Sequence, residues 1–322
     1  MSTVGGNRNF VWGKTMKFAG KRCLEARYQG HFATVAAHSL RWAVFARWCH
    51  ANGVRDARDV TLRLVEHYGD HLAGRVAADE MAVSYAVNLI SSVNVVLKAL
   101  RGDGHISVSP RQRIGARSSI RTTAPAGMDR DAVLVVAAAL REKGEPRVAS
   151  LLELARLFGL RMREAALLDA RKALRQARHR GAIDVRRGTK GGRGRYVPRW
   201  VGVDDAGMSA LVRAAALQGA GSCLVPVDQT WIAFRRHAHA VALPALRQAG
   251  LATIHDLRAA WACQKYQQLT GCTAPCVGDG LRADRVEDNR AREKIGEMLG
   301  HGRADVTTAY LGGRRPAVGG KR

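Results

Sequence analysis

The chain has 322 residues, 47% of them hydrophobic, which excludes a disordered chain and leaves enough length to bury a core without disulfide or metal staples. Lys plus Arg number 52 against 27 Asp plus Glu, a formal charge of +25 with a pI near 11.0. That surplus points to a polyanionic partner, most simply nucleic acid, with a ribosome-associated or membrane-surface protein as the alternative.

Residues 1–9 lack an apolar stretch, so no signal peptide is expected. No run is expected to reach the ~18 apolar residues of a spanning helix. A soluble, cytoplasmic chain with its six cysteines reduced follows as the expectation. Cys272 and Cys276 are close in sequence, but without a second close pair no metal site is expected.

In chain order, residues 1–30 are basic and Gly-rich with little periodicity, which predicts a flexible extension. Residues 31–105 predict a small helical module. Phe32, Val35, Leu40 and Val44 recur at helical spacing in a first helix that also carries Arg41 and Arg47. A second helix is predicted over 62–72, capped by Asp59 or Thr61, and a third over 84–100, ending at Gly102. Residues 106–128 hold Arg111, Arg113, Arg117 and Arg121 among Pro and Gly, a basic linker that either lies across a phosphate backbone or is solvated.

Residues 129–322 predict a second, mainly helical domain with a small sheet. Helices are expected over 131–141, 148–158, 205–218, 231–249, 254–269, 286–299 and 306–311. The alternating run 182–185, the Gly-rich basic stretch 186–195 and Tyr196-Val197-Pro198 read as a β-hairpin with a basic turn. The fold class is therefore mainly α with a small β-sheet.

Three short constellations carry chemistry. In Gly159-Leu160-Arg161-Met162-Arg163-Glu164, helical spacing puts Arg161 and Glu164 on one face, either as an exposed ion pair or as a guanidinium fork oriented for an anion. In His255-Asp256-Leu257-Arg258, a His and an Arg share a face at a helix start, either a capping histidine beside a surface arginine or an anion site. Lys190 and Arg193 lie in the glycine-rich turn, which is either a solvated basic loop or a tip that enters a groove. The spacing is poor for a nucleotide phosphate loop. Leu299-Gly300-His301 follows, with Tyr310 nine residues later.

Taken in this order, Gly-Leu-Arg-x-x-Glu, Lys-Gly-Gly, His-x-x-Arg, Leu-Gly-His and Tyr310 resemble the tyrosine recombinase (phage integrase) family, over about residues 31–312. The resemblance implies a helical core-binding domain and a mixed α+β catalytic domain that clamp duplex DNA. It implies Tyr310 as nucleophile, Arg161 and Arg258 on the non-bridging phosphate oxygens, and Lys190 as general acid for the leaving 5′ oxygen. His255 would assist proton transfer, His301 would hydrogen-bond the phosphate, and Glu164 would orient Arg161 or neighbouring groups. Arg41, Arg47, Arg111, Arg113, Arg117, Arg121 and Arg193 are the expected DNA contacts.

The chemistry fits that assignment. A tyrosine hydroxyl is protonated at neutral pH and nucleophilically weak, and a phosphodiester repels attack. Guanidinium groups offset the charge that grows on its oxygens, and a placed acid typically adds ~10²–10⁴ in rate. No metal or cofactor is needed. The resemblance further implies a specific double-stranded target site, a homotetramer on two duplexes, an accessory DNA-bending factor, a mobile element, and action on nucleoid DNA without a membrane. A type IB-like topoisomerase and an inactive DNA-binding derivative are the rival outcomes. Residues 270–290 exceed the family's usual length and the segment after Tyr310 is short, so the extra segment is expected to serve where relatives use a tail helix. The role of Arg163 is unassigned.

Overall fold

In the computed structural model, residues 7–116, 118–251, 253–278, 281–301 and 303–314 are described, and the chain divides into two units at Ser118 and Ser119. The break falls inside the stretch read as a linker.

The first unit contains helices α1 (Met16–Arg27), α2 (Phe32–Ala51), α3 (Leu62–Ala77), α4 (Val83–Arg101) and the short α5 (Pro110–Ile114). Its core is built on Trp42 and Phe45 of α2, Tyr68 and Leu72 of α3, and the apolar face of α4. The Phe45 and Tyr68 rings meet edge-on at 4.9 Å between centroids. Thr61 caps α3 by accepting from Leu64 N, which settles the choice between Asp59 and Thr61.

Two expectations change here. Residues 16–27 are not an extension. They form α1, capped by Thr15, with Met16, Ala19, Cys23 and Leu24 buried and the indole of Trp42 donating to Met16 O at 2.6 Å. Lys and Arg on the opposite face hid that apolar stripe. Secondly, α4 is long and apolar enough to cross a membrane, with a mean hydropathy of 1.4. Nine of its residues are buried against the rest of the unit, as in a central core helix.

The second unit contains α6 (Arg130–Glu142), α7 (Pro146–Phe158), α8 (Met162–Leu167), α9 (Ala170–Arg180), strands β1 (Ala182–Asp184) and β2 (Trp200–Gly202), then α10 (Asp205–Gln218), α11 (Trp231–Gln248), α12 (Ile254–Thr270), α13 (Arg285–Met298) and α14 (Thr308–Leu311). Helix α7 is its axis. Eleven of its residues are buried, and it packs against α6, α10 and α12. Burying each Leu of that helix contributes roughly 1.5–3 kcal/mol. Its two buried charges are matched: Glu153 meets Arg141 and Arg213, and Arg156 donates to Gly127 O, Met128 O and Gln264. Arg156 thereby holds the end of the predicted linker against the core.

The strands pair antiparallel, with Ile183 opposite Val201 and both side chains fully buried. The return strand starts later than the predicted Tyr196-Val197-Pro198. Pro198 has no N–H to donate, so regular pairing begins beyond it, and the intervening chain makes a 3₁₀ turn over Lys190–Arg195.

Candidate functional site

Helix α7 stops at Gly159, whose φ of +60° is left-handed and whose missing Cβ leaves room for Trp261, 2.5 Å from where that atom would lie. Two residues on, Arg161 caps α8. Glu164 Oε2 accepts from Arg161 N at 2.8 Å and Oε1 accepts from Arg161 Nη1 at 2.6 Å. The Arg161–Glu164 pair is thus a structural cap as well as an ion pair, and Glu164 is fully buried.

Helix α12 begins at the Thr253 cap and brings Arg258 to the same carboxylate. Arg258 is completely buried. Its Nη1 donates to Gly159 O at 2.5 Å and lies 3.3 Å from Glu164 Oε2, its Nη2 donates to Leu299 O at 2.6 Å, and its Nε donates to the Tyr310 hydroxyl at 3.3 Å. Burial first, then the Arg161 charge, pulls its pKa down to about 10, which still leaves it cationic at neutral pH.

Helix α13 delivers His301. The helix closes with Leu299 N donating to Ile295 O and His301 N donating to Gly296 O at 2.7 Å. His301 Nε2 is 3.3 Å from Tyr310 Oη and 3.5 Å from Nη2 of both Arg161 and Arg258. With two obligate donors facing Nε2, the ring proton belongs on Nδ1 and Nε2 is an acceptor. Desolvation, then Arg258, Arg161 and Arg199, push the His301 pKa down to about 4.

Tyr310 sits in α14, with only 4% of its surface exposed, its ring 5.5 Å from the Arg258 guanidinium and 5.6 Å from each of the His255 and His301 rings. His255 lies on the exposed side of the cluster. Desolvation and the Arg258 charge lower its pKa. Lys190 is exposed in its 3₁₀ turn and lines a cavity of about 440 Å³ together with Arg161, Glu164, Arg193, Arg199 and His301. Arg161, Glu164, His255, Arg258, His301 and Tyr310 therefore converge, and Lys190 and Arg193 open onto the cavity beside them.

Other predicted contacts are placed differently. Arg113 forks onto Glu66 and Asp70, and Arg121 pairs with Asp256 at 2.6 Å while its backbone N donates to Thr308 O. Their charges are engaged within the protein because acidic partners on α3 and at the start of α12 lie in reach, so Arg121 braces the tyrosine helix rather than standing free in a linker. Arg47 and Arg111 are exposed and Arg41 is half-buried on the first unit. Arg117 and the last eight residues lie outside the described residues.

Two features were not read from the sequence. Arg199 is 4% exposed and 2.9 Å from Glu164 Oε2. A lone arginine after a proline gives no local signal. The stretch around Cys276 and the α12 residue Cys263 pack under the tyrosine of their own chain: Cys276 N donates to Leu311 O at 2.9 Å, and the buried thiols of Cys276 and Cys263 reach Tyr310 O at 3.3 and 3.5 Å. Among the described residues, no group of three His, Cys, Asp or Glu side chains is arranged to hold a metal ion.

The cluster offers a charge-matched anion site. Three guanidinium groups around one carboxylate leave a surplus of two positive charges beside a hydroxyl. Residues 117–264 match the integrase family model. The fold is similar to that of a lambda integrase (75–356) dimer bound to a COC′ core site, at 15% identity and a TM-score of 0.59, covering 94% of this chain and 95% of that one. It is also similar to the XerH site-specific recombinase bound to palindromic difH in a post-cleavage complex, at 14% identity and 0.58, covering 90% and 79%. A lambda integrase tetramer bound to a Holliday junction gives 16% identity and 0.55, covering 92% and 77%. No curated protein sequence matches the chain.

Proposed function

We propose that the chain is a tyrosine recombinase of the phage integrase family, whose model residues 117–264 match and whose fold it resembles, and that it cuts and rejoins double-stranded DNA at a specific site through a covalent 3′-phosphotyrosyl intermediate. The observation that carries this reading is the Tyr310 hydroxyl, held between Arg258 Nε and His301 Nε2 at the edge of the guanidinium cluster.

The scissile phosphate binds where Arg161, Arg258 and His301 converge. Tyr310 Oη attacks phosphorus and its proton leaves to a neighbouring acceptor, for which His301 Nε2 is already in reach. The P–O5′ bond breaks as the P–O(Tyr) bond forms, and Lys190 protonates the departing 5′ oxygen. Charge that grows on the non-bridging oxygens meets donors fixed in advance, and each such donor is typically worth about 2.7–4 kcal/mol in the transition state. The reverse attack by a 5′-hydroxyl rejoins DNA without an external energy source, because the phosphotyrosine keeps the bond energy.

The family favours a mobile-element recombinase that acts as a homotetramer on two duplexes in the cytoplasm, with an accessory bending factor. The experiment is covalent trapping on nicked DNA from the gene's flanks and from a randomised library. Wild-type protein is expected to form a complex resistant to denaturation, and Tyr310→Phe to form none while binding DNA equally. Equal trapping by both sinks the reading. Site-independent relaxation of supercoils by monomers would redirect it to a topoisomerase.

A further inference from the structure

We propose that Arg199 is a positioning residue of this strand-transfer site, bracing Glu164 and the turn that carries His301 so that Arg161, Arg258 and His301 face the phosphate. The role given to the phosphate rests on the function proposed above, whereas the bracing itself does not.

Arg199 stands directly before β2 and reaches three separate parts of the cluster. Its backbone N donates to Asp184 Oδ1 at 2.8 Å, which fixes it to the end of β1. Its Nη1 lies 2.9 Å from Glu164 Oε2. Its Nε donates to Met298 O at 2.5 Å, while Arg258 Nη2 takes the next carbonyl, Leu299 O, at 2.6 Å. Two guanidinium groups thus grip consecutive carbonyls at the end of α13, and the following Gly300 turns at a φ of +71° with no Cβ to press on Arg199 Cδ, which would be 3.2 Å away. His301 is the next residue, so the backbone that carries its ring is held by this grip.

The electrostatic role follows from Glu164. One buried carboxylate serves Arg161, Arg199 and Arg258. Without Arg199, its charge would fall on the two arginines alone and draw their forks inward, away from a bound anion. With Arg199 sharing Glu164, the carboxylate draws less on the other two, so Arg161 and Arg258 each keep Nη2 turned toward His301.

A role confined to stability fits poorly. Arg199 Nη2 is buried with no hydrogen-bond partner among the described residues, and Nη1 faces Glu164 without hydrogen-bond geometry. A buried arginine so incompletely satisfied costs stability, and an apolar residue of similar volume in such a place is often neutral or stabilising. What an apolar residue cannot do is hold Met298 O and offset Glu164.

The test uses the full chain with Arg199→Met and Arg199→Lys. The first readout is the His301 titration by imidazole NMR without DNA, assigned with His301→Asn. Arg199→Met is expected to shift the His301 pKa upward and Arg199→Lys to restore part of the wild-type value. The second is the single-turnover trapping rate on nicked site DNA, expected to fall on the order of 10²-fold in Arg199→Met, the usual cost of misplacing catalytic groups by about 1 Å, with DNA affinity unchanged and partial rescue by Lys. A His301 pKa unmoved in Arg199→Met overturns the proposal, whatever the denaturation midpoint or the rate does. If wild-type protein traps no DNA, the proposed function fails while the titration still decides Arg199.

Discussion

Arg258 donates through Nε to the hydroxyl of Tyr310 across 3.3 Å, although the two residues lie 52 positions apart. A buried arginine placed on a buried tyrosine oxygen makes the charge of the cluster available at the one atom that the proposed reaction turns into an anion. Most expectations below follow from how that charge is balanced and how that tyrosine is held.

Glu164 is the sole carboxylate among three guanidinium groups in this cluster. Replacing it by Gln leaves a buried, uncompensated cation cluster, and unfolding measurements should show a loss of roughly 3–5 kcal/mol at neutral pH. Burial opposes its ionisation, but Arg199, Arg258 and Arg161 outweigh burial and lower its pKa. Its contribution is therefore full above the unfolded carboxyl pKa and lost as pH falls through the lower folded value. A neutral effect of Glu164→Gln on stability contradicts this balance.

His301 faces Arg161, Arg258, Arg199, Glu164 and Tyr310, and its pKa lies at about 4 in the fold. An unfolded histidine titrates near ~6.5. Because the folded value is the lower one, stability is full above the unfolded value and declines as pH falls toward about 4. His301 should stay neutral at pH 5.5 in an NMR titration, and protonation of this ring should not limit cleavage between pH 6 and 8. An imidazole that titrates at an ordinary value refutes the packing described for it.

Cys276, in the stretch that follows α12, supports the end of α14 through its N on Leu311 O and its Sγ on Tyr310 O. Arg292, 2% exposed and paired with Asp288, adds a donor to Gly312 O at 3.1 Å. Cys276→Leu overfills this seam, which typically costs about 1–3 kcal/mol. Trapping should slow by up to about 10²-fold through misplacement of Tyr310, with DNA affinity retained. An unaltered trapping rate would show that α14 is held in some other way.

The salt dependence of DNA binding separates free from engaged arginines. Arg47→Ala and Arg111→Ala should each flatten the slope of log K against log salt by about 0.9 if they touch phosphate. Arg113→Ala and Arg121→Ala should not, because their forks are taken by Glu66, Asp70 and Asp256. Equal flattening by all four would mean that those ion pairs open on DNA.

Elements with their own periodicity or punctuation could be read from the sequence. Helix α2 forms where expected, although Phe32 and Leu40 of its apolar spacing lie exposed and its buried face runs through Val35, Trp42, Phe45 and Cys49; α7 ends at a glycine, and α12 carries His-x-x-Arg in its first turns. Helix α9 was missed because it buries little more than alanines beneath a basic surface, and α1 because its stripe is short and interrupted by charge. Arg161, His255, Arg258, His301 and Tyr310 were legible as spaced motifs, and folding brings them together. Arg199 and Cys276 were not, since their importance lies wholly in distant partners: Glu164 and Met298 for one, Tyr310 and Leu311 for the other. Nor does sequence tell a free arginine from one engaged inside the protein, as Arg121 is by Asp256.

The most direct test of the account is mass spectrometry of the covalent complex formed on nicked DNA. The account predicts a 3′-phosphodeoxynucleotide adduct on the peptide that contains Tyr310, with a free 5′-hydroxyl on the released strand. An adduct on any other residue, or a linkage to a 5′-phosphate, would contradict it.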